Sequence, residues 1–335
     1  MLALVVFAFP LGIWLAFSRS IVSRGGLSAF VEAAFGRRVA LAHAGVWALA
    51  YFLYLPYTIT FVVYDLLAPL FPGLVAYRSS LELVLPVVLV LVALAPLRLA
   101  AGALALVGVA QLVTMLVLAG FEYGHTSPSF AASPTVNDTG RAVGGTALLF
   151  VCASLPLYLG AETRGGGRTI RRGLVAAVAI VGAVFLVAAI PLADVPDRLR
   201  DSLIPGAAIA RAYSGRGLEV AVGLLTVAST LALIVAEYLA LARLLNWASG
   251  TSVRSVTAWI AVPFVVADAI SLVDPDRFYD DLLKPSLGAL FVSLLVVALA
   301  FPRFRRGPVP IVASLVGSGL AVWGLYTLVT GGSST

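Results

Sequence analysis

Carboxylates and hydroxyls stand inside stretches of this chain that are otherwise apolar. Glu237 lies within the run 219–245 and Asp268 within the run 255–273. An ionisable side chain at membrane depth is costly, so each is a candidate proton carrier or gate; reaching the interface, or pairing with an arginine, is the alternative. Ser229 and Thr230 are adjacent near the centre of the first run. Hydroxyl and carbonyl oxygens suit a hard cation, although such hydroxyls also bond back to their own helix. Tyr51, Tyr54 and Tyr57 recur at a spacing of three, along one side of a helix. Tyr54 is the candidate for lining a solute cavity, with simple packing as the alternative. The run around Leu148–Tyr158 contains Pro156, which donates no backbone hydrogen bond and, in an α-helix, frees the carbonyl of Cys152. In the bilayer middle such freed groups need another partner, and a solute or ion can be that partner. Cys152, Ala153, Ser154, Leu155 and Pro156 are therefore a candidate binding segment; a kink satisfied by Ser154 or by neighbouring helices is the competing reading. His43 reads as interfacial and Cys152 as a packing residue. With one cysteine there is no disulfide within the chain, and the two histidines have no carboxylate at ligand spacing, so no metal site is expected.

The elements that position these groups follow from composition. Of 335 residues, 61% are hydrophobic and 11% charged, whereas soluble domains carry about 25% charged residues. Apolar runs near the length that crosses a hydrocarbon core recur at 1–18, 39–67, 82–97, 99–121, 145–162, 173–192, 219–245, 255–273, 282–301 and 308–329. Their continuous hydrophobicity predicts helices rather than a barrel. The expected fold is an all-α membrane protein of about ten transmembrane helices. The connections 122–144 and 193–218 are rich in Pro, Gly, Ser and Asp, as solvated loops are.

Most of the 22 Arg and Lys residues fall in alternate loops, with Arg19, Arg24, Arg37, Arg38, Arg98, Arg164, Arg168, Arg171, Arg172, Arg243, Arg254, Arg303, Arg305 and Arg306 on one side. The positive-inside rule places that side in the cytoplasm and both termini outside. The net charge of +6 is thus explained by lipid and orientation, not by nucleic acid. Two short amphipathic connectors, Gly25–Arg37 and Ile204–Arg216, lie 178 residues apart when Phe35 is set on Tyr213. That offset carries the first four spans onto the sixth to ninth. A shift of five spans inverts the second copy, an arrangement found in many secondary transporters. The fifth span has no partner, so the first repeat is expected to lack its first helix.

The segment Arg24-Gly25-Gly26-Leu27-Ser28-Ala29-Phe30-Val31-Glu32-Ala33-Ala34-Phe35-Gly36 resembles the connector after the second helix of the amino acid–polyamine–organocation transporter superfamily. Gly160-Ala161-Glu162 followed by Arg164, Arg168, Arg171 and Arg172 is similar to its acidic-then-basic loop, and Ser229-Thr230-Leu231 with Ala242-Arg243-Leu244-Leu245 to its eighth helix and exit. The resemblance implies one transmembrane domain over 1–330. Residues 1–121 form an incomplete first repeat, 145–301 a second inverted repeat and 308–329 a trailing helix. It further implies a solute site at the helix break, Cys152 to Pro156, with Tyr54 on an adjoining helix. Ser229 and Thr230 take the place of sodium-ligating hydroxyls in related carriers.

The expected function is alternating-access transport of amino acids or related small organic amines across the plasma membrane. It uses no enzymatic chemistry and no cofactor beyond a coupling ion, Na+ or H+, with Glu237 a candidate in the coupling. A non-transporting structural or regulatory membrane subunit, or an inactive truncated permease, is the alternative.

Overall fold

A backbone in hydrocarbon finds no water, so each apolar run must satisfy its own N–H and C=O groups. In the computed structural model, which describes residues 2–126, 150–192 and 194–330, the secondary structure is helical throughout. The helices are α1 (Leu2–Phe17), α2 (Leu27–Phe35), α3 (Arg37–Phe61), α4 (Arg78–Leu94), α5 (Leu97–His125), α6 (Gly166–Leu192), α7 (Pro205–Ser214), α8 (Arg216–Ser249), α9 (Val253–Ser271), α10 (Pro275–Phe304) and α11 (Pro308–Thr330). A π-helical turn, Val62–Leu67, carries α3 on to Leu70. Eight of the described helices are long and apolar enough to cross a membrane, as in a multi-pass membrane protein. The 16-residue α1 is about 24 Å long at 1.5 Å per residue.

Each expected span coincides with a helix over its described residues, with residues 1 and 145–149 lying outside them. The fifth span differs in kind. Phe150–Glu162 is a 3-10 helix of 13 residues, in a conformation that rarely runs beyond three or four. At about 2.0 Å per residue it extends some 26 Å, further than an α-helix of equal length. The missing Pro156 donor is therefore felt at the Ala153 carbonyl, three residues back, and not at Cys152 as α-helical geometry predicts.

Elements recur in order along the chain. The short helix α2 precedes the 34-residue Arg37–Leu70, and the short helix α7 precedes the 34-residue α8. A single glycine joins each pair in nearly one conformation, φ 83° and ψ 171° at Gly36, φ 92° and ψ −171° at Gly215. Both glycines lie at positive φ, where a Cβ is strained. The packing recurs as well. Helix α3 lies on α10 and α8 on α5; α2 touches α10 and α7 touches α5; α9 meets α3 and α4 meets α8. Two pairings, α3 with α8 and α4 with α9, map onto themselves under this exchange.

Burial grades the helices. Helix α3 has 61% of its apolar window buried and α5 only 6%. Leu99, Leu106 and Val109 of α5 therefore project outward, onto a surface that suits lipid. Trp47, Tyr158, Tyr238 and Phe264 are fully enclosed in the interior. Helix α11 packs on α1 and α10, at the flank.

Candidate functional site

Along α3, His43, Trp47 and Tyr51 recur every four residues and so share one face. All three are buried. The Trp47 and Tyr51 rings meet edge to face at 5.3 Å, and Tyr51 meets Tyr158 of the 3-10 segment at 6.2 Å. The Tyr51 hydroxyl has Ser154, Cys152 and Glu237 in its electrostatic neighbourhood. Three elements thus converge here: α3, the segment Phe150–Glu162, and α8, which packs on both.

The polar atoms at this junction are poorly satisfied. Among the described residues Trp47 Nε1, Tyr51 OH, Ser154 Oγ, Tyr158 OH and Glu237 Oε2 are all buried without a hydrogen bond of good geometry, although the Tyr51 hydroxyl faces Ser154 and Trp47, and the Tyr158 hydroxyl faces Tyr51, Trp47 and the Leu27 backbone. Most buried polar side-chain atoms are paired, and leaving one unpaired costs about 1–3 kcal/mol. Five on one junction form a set of four donors and one carboxylate oxygen, closed to solvent. The glycine pair of the connector makes room for it. A Cβ on Gly26, whose φ is +50°, would stand 2.4 Å from the Tyr158 ring, and one on Gly25 would stand 2.6 Å from Trp247.

The expected residues sort unevenly. Cys152, Ser154 and Glu237 gather around Tyr51, with Ala153, Leu155 and Pro156 supplying the backbone between them. The half-buried Tyr54 ring lies tilted against that of Tyr57, with centroids 5.4 Å apart. Ser229 and Thr230 both donate to the Thr226 carbonyl, at 3.0 and 2.9 Å, and lie about 12 Å along α8 from Glu237. His43 is a correction to the sequence reading. It is buried and not interfacial, its Nε2 donating to the Ser293 carbonyl at 3.1 Å, with Ser28 Oγ 2.8 Å from Nδ1. A carbonyl only accepts, so the neutral ring carries its proton on Nε2 and takes the Ser28 hydroxyl hydrogen on Nδ1. Trp47 and Tyr158 were missed. The four-residue step from Trp47 to Tyr51 was a signal for the first; nothing local marked the second.

The far end of the 3-10 segment is tied down. Glu162 takes Arg243 Nη2 at 2.7 Å and Arg24 Nε at 2.9 Å. Arg243, buried, also donates to the Leu239 carbonyl. Arg37 donates to the Trp247 carbonyl and stacks 4.0 Å over its ring.

Towards the opposite end of α3 lies a second polar group. Glu82 of α4 and Asp268 of α9 are both fully buried. Glu82 Oε1 accepts from Thr60 Oγ1 at 2.8 Å and from Ser271 Oγ, and the Tyr64 hydroxyl faces the same carboxyl, while Glu82 Oε2 and both Asp268 oxygens have no hydrogen bond of good geometry among the described residues. Glu82 opens its apolar run, where a carboxylate reads as part of a loop, so sequence alone passed it over. By contrast, a cleft between α3, α8 and α9 is lined by residues such as Gly45, Phe52, Leu241, Val256 and Pro263, with no charged side chain among the described residues that line it. No protein-family model matches the chain, and neither does any characterised protein sequence.

Proposed function

We propose that this protein is a secondary active transporter, a permease of amino acids or related small organic amines working by alternating access in the plasma membrane. One observation carries the reading: the closed junction of Trp47, Tyr51, Ser154, Tyr158 and Glu237, whose polar atoms face one another without a well-formed hydrogen bond among the described residues. A zwitterionic solute complements that set. Its carboxylate accepts from the hydroxyls and the indole, and its ammonium donates to Glu237, each bond strengthened by charge and low dielectric. The 3-10 backbone adds the Ala153 carbonyl released by Pro156. The residues named from sequence, Cys152 to Pro156 with Glu237, stand at this junction, and Tyr54 lies beside it on α3.

Alternating access needs two half-structures that exchange roles, and the paired elements support that requirement. Helices α2 to α5 correspond in order to α7 to α10, with matching glycine joints and matching partners under exchange. Since corresponding spans are five apart, the halves thread the membrane in opposite senses. This is the arrangement of the amino acid–polyamine–organocation superfamily. Buried as it is, the junction admits a solute only when helices around it part, and ion binding biases which side opens. The coupling ion in this reading is Na+ or H+.

The test is uptake of pooled radiolabelled amino acids and amines by proteoliposomes, with and without ion gradients. Concentrative uptake is expected, and Glu237→Gln lowers it at least tenfold with the protein still folded. Folded protein that moves no member of the panel overturns the proposal in favour of a non-transporting membrane subunit.

A further inference from the structure

We propose that Glu82 and Asp268 form a proton-binding site, holding one proton between them at neutral pH, with Thr60 and Ser271 as hydroxyl switches that accommodate both protonation states. The two residues lie where α4 packs on α9, each at zero exposure, and are linked through Ser271, whose hydroxyl reaches both Glu82 Oε1 and the Asp268 carbonyl. The charged group acting on Asp268 is Glu82 itself. Among the described residues neither takes part in an ion pair. Two carboxylates enclosed together cannot both stay ionised without a countercharge.

Other charged groups face this site from the neighbouring elements. On the π-helical turn, Tyr64 lies against Glu82, and its neighbour Asp65 is acted on by Asp276 at the start of α10. Arg78, one turn before Glu82 on α4, places its guanidinium 4.8 Å over the Tyr64 ring, with Nε unpartnered. On α8 the two remaining acids are engaged elsewhere. Glu219 pairs with Arg211 and Arg216, and Glu237 sits with Tyr51.

The hydroxyls show how a proton is taken up. Each has one hydrogen and two acceptors within reach. Thr60 Oγ1 reaches Glu82 Oε1 and the Pro56 carbonyl; Ser271 Oγ reaches Glu82 Oε1 and the Asp268 carbonyl. With Glu82 ionised, both hydroxyls donate to Oε1. When a proton from water forms an O–H bond on Oε1, that acid donates to one hydroxyl oxygen, and the hydroxyl turns its own hydrogen to its backbone carbonyl. Glu82 Oε1 is hydrogen-bonded in both states without moving a helix. Three unpartnered oxygens remain, Glu82 Oε2 and the two of Asp268, and a proton is what two enclosed carboxylates without an ion-pair partner take up.

Infrared difference spectroscopy of the whole protein in lipid nanodiscs tests this without any transported solute. In sodium-free buffer, a step from neutral to alkaline pH is expected to remove a protonated-carboxyl C=O band. Subtracting the Glu82→Gln/Asp268→Asn protein isolates the pair's band from that of Glu237. Thr60→Val should keep the band and shift its frequency, because one hydrogen-bond partner is gone. Labelling wild-type aspartate with carbon-13 should shift part of the band, and this arm needs no substitution to fold. A wild-type spectrum without the band, a band unchanged in the double variant, or a band removed at neutral pH by adding sodium or calcium overturns the proposal. The measurement stands apart from uptake, so its failure leaves a sodium-driven carrier intact.

Discussion

Acidic residues at the rim of the bundle and those in its interior are treated in opposite ways. Glu162 and Glu219 lie near helix ends, and each is shared by two arginines: Arg24 with Arg243, and Arg211 with Arg216. Glu237, Glu82 and Asp268 are buried and, among the described residues, pair with no arginine. Helix α8 shows the contrast on one element. Arg243 stands six residues after Glu237, yet its guanidinium turns to Glu162 and the Leu239 carbonyl. A rim carboxylate fixes the backbone on which it sits, here the end of the 3-10 segment. An interior carboxylate oxygen without a partner stabilises nothing in this conformation, which suits a proposed role in holding a ligand or a proton.

If that division is right, breaking the rim pair has the largest effect. Arg243→Met removes the buried partner of Glu162, leaves it Arg24 alone, and should cost roughly 3 kcal/mol, read as a fall in denaturant or thermal stability in detergent. Arg24→Ala, at a pair that is 41% exposed on the arginine side, should cost no more than about 1 kcal/mol. Equal losses for the two would dissolve the distinction between the buried and exposed halves of the network. Next comes Gly26→Ala. Positive φ costs an alanine about 1–2 kcal/mol and displacing the Tyr158 ring adds about 1–3 kcal/mol. Stability should fall and, because Tyr158 belongs to the junction, uptake should fall further than in Arg24→Ala.

The interior carboxylate should respond with the other sign. Glu237→Met removes an unpaired buried oxygen, so stability should hold or rise by about 1–2 kcal/mol while uptake is lost. A destabilised Glu237→Met protein would place this acid with the structural ones. The smallest effect belongs to Ser229→Ala and Thr230→Val, whose hydroxyls already bond the Thr226 carbonyl. Stability should stay within about 0.5 kcal/mol. Uptake measured against a sodium gradient checks their other assignment, since a lost sodium dependence would return them to ion coupling.

What the linear chain determines here is set by lipid. Because every span must bond its own backbone, hydrophobicity and length alone locate the helices, and the two connectors announce themselves by amphipathic spacing and a terminal glycine. The proline marks Ser154 and its neighbours for the same local reason. Which side chains complete the junction is another matter. Trp47 and Tyr158 lie 111 residues apart, and no periodic pattern relates them until α3 packs beside the 3-10 segment. Glu82 acquires meaning only when α4 meets α9 and brings Asp268 and Ser271 to it. The conformation of Phe150–Glu162 was likewise decided by its surroundings, since a proline tells where an α-helix is interrupted and not what replaces it. Local hydrogen bonding and hydrophobicity are properties of neighbouring residues; the satisfaction or orphaning of a buried polar atom depends on groups brought in from distant parts of the chain.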